Sequence, residues 1–204
     1  MTKSELNKEK KRTDLLEAAY ELFITIGFLE TTITQIAKKA GVGKGTFYLY
    51  FKNKEDIRKT LITQKSNELL NDTLKNLQEY TNKNPDLSVC DKIIFITDYI
   101  VTTLSKNMHL LRYISKNLSW GMFSTPFLKA EKSAELVDFR TYTKSMIAKE
   151  DVEIENFDLM IYTIIELVNS TCYNIILNGD PVTFSDYKPY LFRCIRLIVN
   201  DSIK

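Results

Sequence analysis

Cysteine, histidine, tryptophan, glycine and proline are all scarce in this 204-residue chain, at three, one, one, six and four residues. Cys90, Cys172 and Cys194 are odd in number and far apart, which excludes a disulfide framework. With one histidine they also leave no CxxC-type zinc spacing, so no metal site is expected. Such cysteine usage suits a reducing, cytoplasmic setting. So little glycine and proline lets long helices run and argues against a loop-rich sandwich or barrel. No apolar run approaches the ~18 residues of a membrane span. The polar stretch Met1–Arg12 has no apolar segment behind it, so no signal peptide is expected. No membrane partner is expected. No Ser, Cys or carboxylate stands in recognisable triad spacing with His109, and no cofactor motif is present, so catalysis is not expected.

What is present is helical periodicity. Residues 1–10 read as a frayed polar end. From Arg12, Leu15, Leu16, Ala19, Leu22, Phe23 and Ile26 mark one face of a helix that Gly27 stops. Thr31 and Thr32 can cap a second helix carrying Ile33, Ile36, Ala37 and Ala40. Lys44–Tyr50 reads as a third, and Lys54 to about Tyr80 as a long fourth. Beyond a polar loop over Thr81–Ser88 come Cys90–Ser105, His109–Leu118 and Phe127–Ala148. The acidic stretch from Asp151 to Glu155 reads as a solvated connection. Phe157–Leu177 and a last helix over Asp186–Ser202, capped by Ser185, complete the chain. The expected fold is all-α, with about nine helices and no convincing strand.

Net charge is +2, but it is unevenly placed. Residues 1–60 hold 12 Lys/Arg against 8 Asp/Glu, and the remainder 16 against 18. The cationic excess in the first third could face a polyanion, or it could be a solvated lysine-rich surface.

Residues 33–51, ITQIAKKAGVGKGTFYLYF, have the content of a compact helix–turn–helix. Ala37 and Gly41 permit a close helix crossing, and Val42 fills the angle. The second helix then offers Lys44, Gly45, Thr46 and Tyr48 to solvent, in a form that fits a major groove. Taken alone, the pattern is also that of a plain helical hairpin with an aromatic core. It does not stand alone. Thr13–Ala19, Leu22-Phe23, Gly27-Phe28, Thr31-Thr32, Ile36-Ala37, Ala40-Gly41-Val42, Gly45–Tyr48, Tyr50-Phe51 and Lys54-Glu55 resemble the DNA-binding domain of the tetracycline-repressor (TetR-type) regulators, without a gap from about Arg12 to Leu61.

The resemblance implies a three-helix DNA-binding head over 1–53 and a larger ligand-binding and dimerisation body over 54–204. It implies a homodimeric repressor on a palindromic double-stranded operator, released by a small molecule. Carried onto this chain, Lys44–Tyr50 is the recognition helix. Lys44 and Thr46 would meet base edges or nearby backbone, with Gly45 beside them. Thr34, Tyr48 and Lys54 would anchor phosphates, Gly41 would hold the turn, and Phe47 and Tyr50 would buttress the head. The family often has serine where this chain has Gly43, which leaves the recognition helix without a side-chain cap.

In the body, His109, Tyr113, Asn117, Trp120, Met122 and Phe123 could line a mostly apolar effector cavity, or simply pack the core. The last two helices carry more apolar surface than one small core needs. Phe157, Ile161, Ile164, Val168, Leu191, Ile195 and Ile198 are therefore candidates for a dimer surface. The alternative is a monomeric body with both helices central. The competing function is a helical DNA-binding or adaptor protein without a ligand switch.

Overall fold

The computed structural model describes residues 2–114 and 152–204. Among them are eight helices: α1 (Lys3–Thr25), α2 (Ile33–Lys39), α3 (Lys44–Tyr50), α4 (Lys54–Lys83), α5 (Val89–Lys106), α6 (Met108–Ile114), α7 (Phe157–Asn178) and α8 (Phe184–Ser202). The helix expected over Phe127–Ala148 lies outside the described residues. The chain divides into two compact units, Met1–Gln64 and Lys65–Lys204, so the first turns of α4 belong with the head.

The head is built from local signals. α1 begins at Lys3 rather than near Arg12, because Thr2 and Glu5 form a reciprocal cap. The Thr2 hydroxyl accepts from Glu5 N at 3.3 Å, and Thr2 N donates to the Glu5 carboxylate at 2.6 Å. Thr32 and Gln35 repeat the arrangement at the start of α2. Thr31 does not cap; it is buried, and its hydroxyl donates to Gly27 O at 2.7 Å. The turn from α2 to α3 is a Schellman motif. Gly41 N donates to Lys38 O at 3.2 Å, and Val42 N to Ala37 O at 2.9 Å. The motif needs a left-handed residue, and Gly41 supplies it at φ 68°. Leu15, Leu16, Ala18, Ala19, Phe23, Ile36, Ala37, Phe47, Ile57, Leu61 and Ile62 are the buried apolar residues of this unit's helices.

The body forms two apolar clusters that share α5. Leu69, Leu70, Leu74 and Leu77 of α4 meet Ile96, Ile100 and Leu104 of α5 and Leu111 of α6. Val89, Cys90, Ile93 and Val101 of α5 meet Met160, Ile161, Ile164 and Cys172 of α7 and Leu191, Ile195 and Val199 of α8. α4 is also fastened to α5 by polar groups. The Tyr99 hydroxyl donates to Asp72 Oδ2 at 2.6 Å and accepts from Asn76 Nδ2 at 2.9 Å. That bond to a carboxylate, with some burial, pushes the Tyr99 phenol up to about 12. Two ion pairs join α5 to α8, Asp98–Lys188 at 2.5 Å and Asp91–Arg196 at 3.1 Å.

Two expectations change at the C-terminal end. Thr183, not Ser185, caps the last helix, its hydroxyl accepting from Asp186 N at 3.3 Å. The stretch after Asp151 is not simply solvated. Glu155 N donates to Ser202 O at 2.8 Å and Lys204 N to Glu153 O at 3.1 Å, around an antiparallel bridge between Ile154 and Ile203.

The residues expected at a dimer surface lie against the body's own core. Ile161, Ile164, Leu191 and Ile195 are buried within the chain, and Phe157, Val168 and Ile198 are half-buried against the same cluster. The physical reason is that α5 alone cannot cover α7 and α8; these side chains close the core between the three helices. Exposed apolar residues on α7 and α8 are different ones: Leu159, Tyr162, Tyr190 and Leu197. α7 is long and apolar enough to cross a bilayer by length and composition, contrary to the expectation of no such segment. Its inner face is occupied by α5 and α8. Ile195→Ala therefore leaves a cavity and should lower stability by about 2–5 kcal/mol in chemical denaturation.

Candidate nucleic-acid interface

α3 is a seven-residue helix with one face inward. Phe47 is fully buried and stands against Phe51, ring centroids 5.7 Å apart. Arg12 lies over the other ring of this pair, 5.9 Å from the Phe51 centroid. Tyr50 is half-buried, and Thr46 is half-buried near the start of the helix. Lys44, Gly45, Tyr48 and Leu49 face solvent. The Tyr48 ring meets Phe47 edge-on at 5.5 Å, which orients its hydroxyl end outward from a fixed base. Gly43 occupies the N-cap position and makes no side-chain cap bond. A Cβ at Gly43 or Gly45 would meet nothing within 4 Å, so internal crowding does not dictate either glycine.

Of the expected phosphate contacts on α2, Thr34 is exposed, as are the neighbouring Gln35 and Lys38. Lys39 is paired with Glu21 of α1. Lys54 occupies a different position from the one expected of a phosphate anchor. Its ammonium donates to Phe28 O at 2.7 Å, Leu29 O at 3.1 Å and Thr31 O at 2.7 Å. It also sits 4.5 Å from the Phe28 ring centroid, with Arg58 4.6 Å from the same ring. An ammonium has three donors, and all three are engaged here. Lys54 thus ties the start of α4 to the turn between α1 and α2. Asn53 secures that start, its Oδ1 accepting from Asp56 N at 2.9 Å while the Asp56 carboxylate accepts from Lys52 N at 2.8 Å.

The expected effector residues are only partly within the described chain. His109 is exposed on α6, and Tyr113 is half-buried against the α4–α5–α6 cluster. Asn117, Trp120, Met122 and Phe123 lie outside the described residues. A small apolar cavity of about 20 Å³ does occur in the body, between Ile100 and Leu104 of α5, Leu111 of α6, and Val168, Cys172 and Tyr173 of α7. The apolar periodicity of these helices carries no signal for a void, and Val168, expected at a dimer surface, lines it instead. The Ser66 hydroxyl, on α4, is buried with no hydrogen-bond partner among the described residues. Among the described residues no group of three or more His, Cys, Asp or Glu comes together as a metal site.

A basic three-helix head presenting a short second helix outward defines the class of helix–turn–helix DNA-binding regulators. Residues 15–61 match the family described as bacterial regulatory proteins, tetR family. The chain is 34% identical over 82 residues to the fatty acid metabolism regulator protein of Bacillus subtilis, covering 40% of this chain and 42% of that one. Three further regulators of the same organism are matched over 26% to 51% of their lengths. Thus the alignments span about half or less of these relatives. Similar solved structures extend over nearly the whole chain. FadR of Thermus thermophilus, a TetR-family repressor in complex with lauroyl-CoA, superposes with TM-score 0.62 at 20% identity, covering 91% of this chain and 93% of that one. A TetR-family regulator from Marinobacter aquaeolei VT8 gives 0.60 at 16%, covering 98% of each. Residues 15–61 thus match the helix–turn–helix domain of the tetR regulatory family, and over the rest of the chain the likeness to solved TetR-family regulators is one of fold.

The Lys54 geometry gives a test that separates scaffold from contact. Lys54→Met removes a charged donor from three carbonyls and should cost the head about 1–3 kcal/mol. If Lys54 acts only within the head, the salt dependence of DNA binding by the folded variant should keep the wild-type slope. A slope reduced by about one would return Lys54 to the phosphate contacts.

Proposed function

We propose that this protein is a cytoplasmic, homodimeric repressor that binds a palindromic operator through α3 and leaves it when a small apolar or amphipathic effector enters the body. The observation that carries the DNA reading is the outward face of α3. Lys44, Gly45 and Tyr48 are exposed while Phe47 anchors the helix from behind. Lys44 and Tyr48 are one turn apart and act on phosphates or nearby base edges, together with Thr34 from α2. Thr46, half-buried beside them, is short enough to sit against a base edge. Gly45 keeps the surface low, letting the helix backbone approach the duplex. The cationic excess of residues 1–60 supplies the sequence-independent part of the affinity.

Two recognition helices require two chains. The second copy docks on the outer faces of α7 and α8, where Leu159 is 64% and Leu197 66% exposed, with Tyr162 and Tyr190 beside them. Two helices from each subunit would form a four-helix bundle around a two-fold axis. For the effector, the support is the apolar cavity between α5, α6 and α7, which has room for about one water and would have to widen around a ligand. The apolar lining suits an apolar or amphipathic ligand, and the Thermus relative was solved with lauroyl-CoA. α4 runs through both units and is the covalent route between effector and head.

Titration of a duplex at several salt concentrations tests the DNA reading. Lys44→Ala should weaken binding to any sequence and lower the logarithmic salt slope by about one. Unchanged affinity and slope would remove Lys44 from the interface. The dimer reading is tested by sedimentation of Leu197→Asp. Because Leu197 is exposed within the chain, the variant should fold and run as a monomer. A dimer of wild-type strength would place the interface elsewhere.

A further inference from the structure

We infer that Leu49 is a sequence-reading residue of α3, and that it recognises the 5-methyl group of thymine in the major groove. The inference rests on the DNA-binding reading of α3 and goes beyond it by naming a residue and the chemical group it meets. The outward face of this helix has two rows. Lys44 and Tyr48, four residues apart, form a polar row. Gly45 and Leu49, also four apart, form an apolar row beside it. Leu49 is 81% exposed, against 51% for Tyr48. It is a four-carbon apolar side chain on a surface that is otherwise polar or lacks a side chain.

Direction strengthens the case. Side chains on a helix lean toward its N-terminus and cover the turn before their own Cα. The turn before Leu49 is the one that holds Gly45, where a Cβ would meet nothing within 4 Å. The Leu49 methyls therefore stand over an uncovered stretch of α3, at the end where a recognition helix meets base edges. Among the described residues Leu49 belongs to neither apolar cluster and is 81% exposed. The floor of the major groove carries hydrogen-bond donors and acceptors, and one apolar group, the thymine methyl. A leucine pressed into the groove strips water from base donors and acceptors that it cannot replace, unless it meets that methyl instead. The polar row fixes the helix on the duplex, and the apolar row discriminates thymine from cytosine.

The test uses the full-length protein and a duplex recovered by iterative selection from a random pool. Each thymine of the site is replaced in turn by deoxyuridine, which keeps the pairing and removes only the methyl. For wild-type protein, at least one position in each half-site should weaken binding about fourfold, the equivalent of one buried methyl at about 0.8 kcal/mol. In Leu49→Ala, that same replacement should have no further effect, while replacements elsewhere keep their wild-type values. Wild-type binding indifferent to every deoxyuridine overturns the assignment. So does an equal loss at the same position in wild type and Leu49→Ala. A pool that yields no enriched duplex overturns the DNA reading itself, and Leu49 with it. The wild-type series alone can refute the proposal, whatever the stability of the variant.

Discussion

The head depends on one ammonium group. Lys54 gathers the carbonyls of Phe28, Leu29 and Thr31 at the start of α4, and its charge rests on the Phe28 ring. Those carbonyls belong to the turn between α1 and α2, so the position of α2 follows from the clasp. α3 follows α2 through the Schellman turn at Gly41, and Phe47 locks its inner face. The outward face of α3 is then a consequence rather than a separate design: Lys44, Tyr48 and Leu49 point out because Phe47 is fixed inward. A recognition surface held this way loses little freedom on docking, which is where short helices otherwise forfeit affinity.

In the body, α7 and α8 must satisfy two demands with two faces. Ile161, Ile164, Leu191 and Ile195 close the core against α5. Leu159, Tyr162, Tyr190 and Leu197 remain outside. Arg193 lies over the Tyr190 ring at 5.1 Å, so even the outer face has some internal order. The same division makes a charge at Ile195 a folding lesion and, on the proposed dimer, one at Leu197 an assembly lesion.

The local parts of this account were readable from residue order. The periodicity of Ile36, Ala37 and Ala40 and the Gly41-Val42 pair place the helix–turn–helix, because every interaction in it spans a few residues. The Thr2–Glu5 cap was equally local; the polarity of residues 1–10 obscured it. The clasp could not be read in this way, since Lys54 finds partners 23 to 26 residues earlier in the chain. A lysine near DNA-binding elements reads as a phosphate contact until its donors are seen to be engaged. α7 defeats periodicity for another reason. It is apolar around most of its circumference, so spacing cannot tell the core face from the outer one. An apolar residue between Phe47 and Tyr50, such as Leu49, reads as core from spacing alone. Only its exposure sets it apart.

The central claim is that two copies of this head read one duplex with their α3 helices. Hydroxyl-radical footprinting on a duplex selected from a random pool addresses it directly. The account predicts two protected half-sites of inverted sequence on one face of the DNA, with centres about one helical turn, ~34–36 Å, apart or a multiple of it. A single protected half-site at saturation, or uniform protection without sequence preference, would contradict it.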